Sequence, residues 1–335
     1  MIRSISDALV TLTPDRAELP LRSGFHYHEP VTGLIEWMPV MVNGSRATIK
    51  VVGYHPENPR RYELPTILGT VSSYDTRTGH LVGLADGTFL TALRTGAASG
   101  VATAAMATAD TKTLGIIGCG AQAVAQLHAV SRVRKIARVL TYDLDPATTA
   151  SFPARIEVLG LDDLTVEVAD CERVVRESDV LCTATSVDVG GGPVFPDTET
   201  KPWLHINAAG SDFEGKFEIP KAMLKRAYVC PDILLQAISQ GECQQLTKDD
   251  IGVELPVLIG DRELCESLMP KLTVFDSTGS ALEDHVALEL MLGYGREFGL
   301  GAEIEIESFS HDAKNPYEFV FEDRGVAAVE NLGRP

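Results

Sequence analysis

The chain has 335 residues, which is long for a single hydrophobic core and favours two domains. It carries 29 Lys and Arg against 47 Asp and Glu, a formal net charge of -18, so we expect its surface to repel nucleic-acid phosphates and anionic lipid headgroups. Since no apolar run reaches about 18 residues and no secretory signal pattern opens the chain, neither a nucleic acid nor a membrane is expected as a partner.

The first 110 residues combine short strand patterns with one helix pattern. Runs rich in β-branched and aromatic residues, separated by turn-forming stretches, predict strands over residues 34–39, 47–52, 67–74 and 80–85. Residues 91–107 are rich in Ala and contain Gly and Thr, and we expect a buried helix there. This region therefore favours an α+β domain.

From residue 113 onward, strand and helix patterns alternate, which is typical of a parallel, doubly wound sheet. We predict helices over 121–133 and 171–177, and strands over 113–118, 138–143, 179–185, 203–208, 227–230 and 272–276. The predicted fold class is α/β, with a Rossmann-type doubly wound parallel sheet over residues 111–294. A discontinuous α+β domain for substrate binding and dimerisation is expected to comprise residues 1–110 and to be completed by 295–335, where 304–306 has a strand pattern.

The side chains that often bind metals form no ligand pattern. The six cysteines are scattered without a C-x-x-C pair, so we predict neither a zinc site nor disulfides, and we expect a reducing compartment, the cytoplasm. The eight histidines show no H-E-x-x-H spacing, and no metal is assigned. His26 and His28 alternate as on a strand, for which a surface position is favoured over a pocket, and His285 is expected to pack on a helix.

A glycine-rich turn carries the sharpest local signal. The motif G-x-G-x-x-A runs from Gly118 through Gly120 to Ala123, directly after an apolar strand and directly before an amphipathic helix. Gly118 permits the tight turn, Gly120 lets the backbone approach a pyrophosphate, and Ala123 allows close packing of helix on strand. The helix begins with Ala121 and Gln122, whose free N–H groups would face the phosphates. A glycine turn without a ligand is the alternative, but the strand–turn–helix context favours a dinucleotide.

An acid follows the next predicted strand. Asp143 is placed where a carboxylate accepts hydrogen bonds from the adenosine ribose hydroxyls and repels a 2′-phosphate. The motif therefore favours NAD over NADP as the cofactor. A solvated turn acid beside Asp145 is the alternative interpretation of Asp143.

The order of motifs resembles the ornithine cyclodeaminase/mu-crystallin family, which also includes archaeal-type alanine dehydrogenases, lysine cyclodeaminases and ketimine reductases. The resemblance extends over about residues 20–290. It rests on the segments IEWMP at 35–39, IKVV at 49–52, HPEN at 55–58, LPT at 64–66, LTALRT at 90–95, the 118–123 turn, GSDFEGK at 210–216, FDSTG at 275–279 and LED at 282–284. The T-A-L-R-T segment followed by the glycine turn is the most specific of these.

The resemblance implies roles for the charged residues. Arg22, Lys50 and Arg94 would hold a substrate carboxylate, a task for which Arg supplies a planar two-pronged donor. Glu36 and Asp212 would face amino groups and move protons, with Lys50 beside them in the catalytic set. From the residues alone, Lys50 could be an edge charge, Glu36 a solvent-facing strand residue and Asp212 a turn former, and the pattern around Arg22 departs from the family.

The resemblance also assigns four hydroxyl side chains. Thr66 would contact substrate or a nearby water, while Thr95, Ser277 and Thr278 would bind the cofactor, the last two beside the nicotinamide ring. Family members pair their first domains across a two-fold axis, so a homodimer through residues 1–110 is expected, and the short strands of this domain leave edges to be covered.

Three functions are compatible with these motifs. The favoured one is an NAD-dependent cyclodeaminase, which removes hydride from Cα of a basic diamino acid such as ornithine, closes the ring with loss of ammonia and returns the hydride. The second is an NAD(P)H-dependent dehydrogenase or imine reductase acting on a small amino or imino acid. A non-catalytic binding protein like mu-crystallin is the third, and the joint presence of Lys50, Arg94, Glu36 and Asp212 counts against it.

Overall fold

The computed structural model describes residues 1–11, 13–161, 163–307, 309–315 and 317–318. The chain forms two compact units, Met1–Leu292 and Gly293–Pro335. The strands are β1 (Ala17–Glu18), β2 (Ser23–Tyr27), β3 (Gly33–Val42), β4 (Arg46–Tyr54), β5 (Ile67–Asp75), β6 (Leu81–Asp86), β7 (Thr113–Ile117), β8 (Arg138–Tyr142), β9 (Thr165–Val168), β10 (Val180–Thr183), β11 (His205–Ala208), β12 (Tyr228–Pro231) and β13 (Thr273–Asp276). The α-helices are α1 (Ile2–Thr11), α2 (Asn58–Tyr62), α3 (Gly87–Met106), α4 (Ala121–Val133), α5 (Pro146–Ile156), α6 (Cys171–Glu177), α7 (Lys221–Arg226), α8 (Leu234–Gln240), α9 (Leu255–Gly260), α10 (Arg262–Leu268) and α11 (Ala281–Phe298), and 3₁₀ turns occupy Glu157–Leu159, Glu242–Gln245 and Lys248–Asp250.

Strands β1 to β6 form an antiparallel sheet, in the order β1-β3-β4-β5-β6 with β2 also paired to β3. Its inner face buries Glu36, Met38 and Lys50, of which Met38 lies opposite Lys50 in the register. Its outer face is also apolar, because alternate positions on the same strands carry Ile35 and Val51, each 40% exposed. Both faces of this sheet are therefore hydrophobic, although only one packs on the core.

Strands β7 to β13 form a parallel sheet in the order β12-β13-β11-β10-β7-β8-β9. Its central strands are buried at nearly every position, as expected for a sheet covered by helices on both faces. The strand order reverses beside β7, the strand that leads into the glycine-rich turn, and ligands bind at such a point in doubly wound sheets. The predicted α/β class with a Rossmann-type parallel sheet is confirmed.

Helix α3 packs against both sheets, contacting β5 of the first and β11 of the second, and also against α4. Asp86 caps its N-terminus by accepting hydrogen bonds from two backbone N–H groups of the first turn. Gly96 lies at the crossing with α4, where a Cβ would stand 2.5 Å from the carbonyl oxygen of Ala125. The backbones of these two helices therefore touch directly.

The strand predicted at residues 304–306 is wrong, because these residues form no regular structure. Ile304 and Ile306 alternate with Glu as on a strand, but they are 70% and 61% exposed, so the pattern buries no apolar face. The division into domains at residues 110 and 294 stays a prediction. Residue 308, residue 316 and residues 319–335, which belong to the expected completion of the first domain, lie outside the described residues.

Candidate active site

The glycine-rich turn joins β7 to α4. Gly118 has φ +90°, a conformation that favours glycine, and a Cβ there would lie 2.6 Å from the carbonyl oxygen of Ala184, just beyond β10. Gly120 caps α4, and a Cβ built on it would meet no atom of the described neighbouring segments within 4 Å. The open space in front of Gly120 is where a pyrophosphate fits, with the N–H groups of Ala121 and Gln122 at the helix start.

Asp143 follows β8 and points back to the turn. Its Oδ2 accepts a hydrogen bond from the backbone N–H of Cys119 at 2.7 Å, and its Oδ1 accepts one from the N–H of Asp145 at 2.9 Å. The half-buried carboxylate is thereby fixed beside the glycine turn rather than left as a freely solvated acid. Each oxygen retains a lone pair for a ribose hydroxyl.

Ser277 and Thr278 come directly after β13, at the carboxyl edge of the parallel sheet. The Thr278 hydroxyl donates to Asp232 Oδ1 at 2.7 Å and accepts from Gln236 Nε2 at 2.6 Å. The Ser277 hydroxyl is buried and has no hydrogen-bond partner among the described residues. An unpartnered buried hydroxyl at this edge fits a group supplied by a bound ligand.

Arg22 connects this edge to the antiparallel sheet. Its guanidinium donates to the backbone carbonyl of Thr278, and its Nη1 lies 3.6 Å from Glu36 Oε2. Both side chains are buried, with 7% of Arg22 and 5% of Glu36 exposed. The structure thus brings three predicted residues, Arg22, Glu36 and Thr278, into one cluster, and Glu36 lies on the inner face of β3 rather than facing solvent.

Lys50 and Arg94 share one buried anion. Asp284 of α11 lies 2.8 Å from Lys50 Nζ through Oδ2 and accepts a hydrogen bond at 3.0 Å from Arg94 Nε through Oδ1. Glu283 accepts a second hydrogen bond at 2.9 Å from Arg94 Nη1. All four side chains are at least 94% buried. The two cations that the sequence assigned to a substrate carboxylate therefore each contact a carboxylate of the chain itself.

Burial and these contacts set the protonation of the cluster. Burial lowers the pKa of Lys50 to about 8, helped by the nearby Arg94 charge and opposed by Asp284. Burial raises the pKa of Glu283 to about 7 although Arg94 acts against it. For Asp284, burial acts to raise the pKa, but Lys50 and Arg94 together bring it below its usual value. In this group of four residues, Asp284 is therefore ionised at neutral pH, and Lys50 is the cation whose charge changes near neutral pH.

Asp212 lies on the loop after β11 with its side chain 38% exposed. Lys216 Nζ donates a hydrogen bond to Asp212 Oδ1 at 3.1 Å and lies 5.3 Å from the centre of the Tyr54 ring. Burial acts to raise the pKa of Asp212, but Lys216 and the more distant Arg22 and Arg94 hold it below its usual value. Asp212 is therefore an ionised proton acceptor at neutral pH.

Hydrogen bonds to the partly buried Gln244 and the buried Glu218 hold the loop that carries Asp212. Gln244 donates to the carbonyl of Lys216 at 2.8 Å and accepts from the N–H of Gly215 at 2.7 Å. Glu218 accepts from the N–H of Gly210 at 3.0 Å, where the loop leaves β11. These bonds hold both ends of the segment that carries Asp212.

His26 lies nearer the site than the sequence indicated. Its Nε2 is 3.1 Å from Glu36 Oε1, and its ring centre is 4.9 Å from that of Phe213, the residue after Asp212. His26 does lie on a strand, β2, as predicted. One edge of its ring contacts Glu36, and the other edge is exposed to solvent. His285 lies on α11, buried, and its Nδ1 is 2.8 Å from the Thr48 hydroxyl of β4.

Two predicted residues lack a visible link to the cluster. Thr66 precedes β5, and its carbonyl accepts a hydrogen bond from His55 at 2.8 Å. Thr95 is buried in α3 next to Arg94. Within the described residues, no hydrogen bond joins either hydroxyl to the charged cluster, so their assignments stay predictions.

Four residues of the cluster had no role assigned from the sequence, namely His26, Lys216, Glu283 and Asp284. The signal for the last two was present in the L-E-D segment, where two acids interrupt an apolar helix start. Charges in such a position are costly unless paired, so they point to buried cations elsewhere in the chain.

The chain is similar in sequence and in structure to known proteins. The chain is 45% identical over 300 residues to the L-lysine cyclodeaminase of Streptomyces rapamycinicus, covering 90% of this chain and 87% of that protein. It matches a lysine cyclodeaminase structure, solved for recognition of L-lysine, L-ornithine and L-2,4-diamino butyric acid, with a TM-score of 0.90 and 48% identity over 95% of this chain and 93% of that one. It matches an archaeal alanine dehydrogenase dimer with bound NAD with a TM-score of 0.78 and 28% identity over 91% and 94%.

Across the part of the chain that the structure describes, we find no helix with the length and apolar character needed to cross a bilayer. The family model that matches describes the ornithine cyclodeaminase/mu-crystallin family, and it matches residues 2–294. The resemblance inferred from the motifs is thus confirmed. The chain belongs to the ornithine cyclodeaminase/mu-crystallin family.

Proposed function

We propose that this protein is an NAD-dependent cyclodeaminase that converts a basic diamino acid such as L-lysine or L-ornithine into a cyclic imino acid with release of ammonia. The observation that carries the proposal is the presence of two carboxylates, Glu36 and Asp212, near the same cation, Arg22. Glu36 lies on β3 of the antiparallel sheet and Asp212 on the loop after β11, and His26 links them by contacting Glu36 at 3.1 Å and the Phe213 ring beside Asp212. Two amino groups on one substrate require two such acceptors.

The cofactor proposal rests on the turn and the acid beside it. Gly118, Gly120 and the start of α4 provide the phosphate site, and Asp143 provides the ribose acceptor. When bound there, NAD⁺ would supply reversible hydride transfer at the substrate Cα without net redox change over a turnover. Ser277, whose hydroxyl has no hydrogen-bond partner among the described residues, is assigned with Thr278 to the nicotinamide side, and Thr95 is assigned to the cofactor.

The charged residues bind and orient the substrate. Arg22, Lys50 and Arg94 attract the α-carboxylate, and Asp284 keeps the last two cations at a fixed separation. Asp212, ionised at neutral pH, accepts the proton of the α-amino group, and Glu36 faces the distal amine. Thr66 borders the substrate. The side chains of the protein thus bind the α-carboxylate of the substrate and accept and return protons.

Stoichiometry separates this proposal from its alternatives. With L-lysine or L-ornithine and NAD⁺, we expect many equivalents of ammonia per enzyme without accumulation of NADH. NADH formed in step with substrate consumption, or oxidation of NADH with pyrroline-2-carboxylate alone, would instead assign an amino acid dehydrogenase or an imine reductase. Binding of NADH without turnover of any of these compounds would assign a binding protein.

Asp143→Ala tests the cofactor preference. Loss of the carboxylate removes acceptors for the ribose hydroxyls and the charge that repels a 2′-phosphate, so NAD(H) binding should weaken and its advantage over NADP(H) should narrow. Fluorescence titration of the wild type and the variant with NADH and NADPH measures both effects. Equal affinity of the wild type for the two cofactors would contradict the assignment.

Lys50 predicts a pH dependence of substrate binding. Its pKa of about 8 means that the cation is present below this pH and is lost as the pH rises through it. Because the cation attracts the carboxylate of the incoming substrate, kcat/KM should fall above pH 8 while kcat changes less. Steady-state kinetics from pH 6.5 to 9.5 provide the check, and Lys50→Arg, which keeps its charge throughout, should remove this decline at whatever activity it retains.

We also propose a homodimer formed by the outer face of the antiparallel sheet. Phe25, Ile35, Val51, Leu68 and Leu84 lie on this face and are between 39% and 66% exposed. Such a continuous apolar surface marks an interaction site, and the similar archaeal alanine dehydrogenase is a dimer.

Light scattering at micromolar concentration should give twice the chain mass of 36.1 kDa. Val51→Glu places a charge on the central strand of this face and should give monomers. The matched control, Val158→Glu, changes an exposed valine away from the antiparallel sheet and should stay dimeric. A monomeric wild type would contradict the proposal.

The cytoplasm remains the proposed compartment. All six cysteines are free thiols, four of them buried. A reducing environment preserves such thiols.

A further inference from the structure

His26 occupies a position between a buried carboxylate and solvent. Its Nε2 lies 3.1 Å from Glu36 Oε1, while 46% of the His26 side chain is exposed against 5% of Glu36. The Phe213 ring, 4.9 Å away between centres, holds the imidazole from the other side. His26 thus reaches both the interior of the site and the water outside it.

Glu36 has one other polar neighbour among the described residues that contact it. Arg22 lies 3.6 Å from the second carboxylate oxygen and is itself 93% buried. A guanidinium carries donors only and does not release a proton in proteins, so it stabilises the Glu36 charge without accepting a proton from it. Across the strands, Glu36 is paired with Gly24 and Val52, which bear no titratable group. A proton on Glu36 therefore has His26 as its acceptor within the described part of the chain.

The proposed reaction needs such an acceptor twice in each cycle. A diamino acid enters with two ammonium groups. The α-ammonium must lose a proton before hydride leaves Cα, and the distal ammonium must lose a proton before its nitrogen attacks that carbon. Two protons return later, one to the departing ammonia and one to the ring nitrogen, so the balance over the cycle is zero. Asp212 takes one of these protons, and the other falls to Glu36, which is too buried to exchange it directly with water.

We propose that His26 transfers protons between Glu36 and bulk water, an inference that rests on the proposed cyclodeaminase function. The proton of the distal ammonium passes to Glu36, then to Nε2 of His26, and the exposed edge of the His26 ring releases it to water. The same path runs in reverse when the product nitrogen is protonated. Only protons move between these groups, so no further oxidant or reductant is required. His26 acts through Glu36 and need not touch the substrate.

Two variants and one control test this role with L-lysine and NAD⁺. His26→Ala removes the imidazole, His26→Gln keeps a polar side chain that cannot carry a proton, and His28→Gln changes an exposed histidine two residues along the same segment. We expect kcat to fall by about tenfold or more in both His26 variants, with KM within about threefold, since proton transfer by a positioned side chain contributes at least this much. Added imidazole should restore His26→Ala in a saturable way, and His28→Gln should match the wild type.

Ammonia release by the wild type is measured first. Its absence would overturn the cyclodeaminase proposal and this inference with it. With an active wild type, a His26→Gln variant of normal kcat would show that only a polar contact is needed, and a His26→Ala variant that imidazole does not restore would show that proton transfer is not the role. Either result overturns the inference and leaves the proposed function standing.

Discussion

Asp212→Asn should lower kcat by about 10²- to 10⁴-fold, the range that a positioned general base contributes. The asparagine keeps the shape and a hydrogen-bonding oxygen for Lys216, which donates to Asp212 at 3.1 Å, but it cannot take the proton of the α-amino group. KM should change less, because we propose that the carboxylate of the substrate is held elsewhere, by Arg22, Lys50 and Arg94.

Glu214→Gln is the matched control, since Glu214 is an exposed acid on the same loop and should give wild-type kinetics. NADH titration should give the same affinity for both variants as for the wild type, because neither change touches the glycine turn. Near-wild-type kcat in Asp212→Asn on the true substrate would mean that the proton acceptor is another group.

Arg94→Ala should have its largest effect on folding. The side chain is 6% exposed and makes hydrogen bonds to both Glu283 and Asp284, which are each 1% exposed. Removing one partner of a buried ion pair typically costs about 3–5 kcal/mol, because the other charge remains buried and unpaired. Urea denaturation followed by circular dichroism should show a loss of this size in the free energy of unfolding, and the folded fraction should show a strongly raised KM.

The double variant Arg94→Ala/Glu283→Gln identifies the cause of that loss. Glu283 contacts Arg94, whereas Asp284 retains Lys50 as a second partner at 2.8 Å. Because burial raises the pKa of Glu283 to about 7 even against the opposing Arg94 charge, an uncompensated carboxylate is expected only at alkaline pH, where Glu283→Gln should restore part of the free energy of unfolding while KM stays high. A double variant less stable than Arg94→Ala would indicate lost packing instead.

Local elements were predictable to the residue where a short-range pattern determines them. The helices predicted over 121–133 and 171–177 coincide with α4 and α6, because an apolar period of 3.6 residues and a glycine or aspartate cap mark both. The predicted helix at 91–107 starts four residues late, since the cap at Asp86 precedes the Ala-rich stretch. Residues 146–156 were not assigned to a helix, although α5 begins there with a proline at its first turn.

The charged cluster depends on contacts that no local pattern encodes. Arg94 and its acceptors are separated by about 190 residues of chain, so the L-E-D segment shows unexplained acids but not their partner. The orientation of Glu36 was open for a different reason. Its strand carries Ile35 and Trp37 on the opposite face, so the alternation of polar and apolar residues that normally marks the inward face is missing.

The crossing at Gly96 has a consequence for the geometry of reaction. In our proposal Arg94, two residues earlier on α3, helps to fix the substrate carboxylate, while α4 presents its N-terminus to the cofactor phosphates. The main chains of α3 and α4 are in contact at Gly96. Because glycine has only a hydrogen atom in place of a side chain, the two helices can approach this closely. An added methyl group would spread them, and a displacement of about 1 Å between reacting groups can cost about a hundredfold in rate. In the proposed enzyme, the close packing of these two main chains would therefore contribute to the spacing between substrate and cofactor.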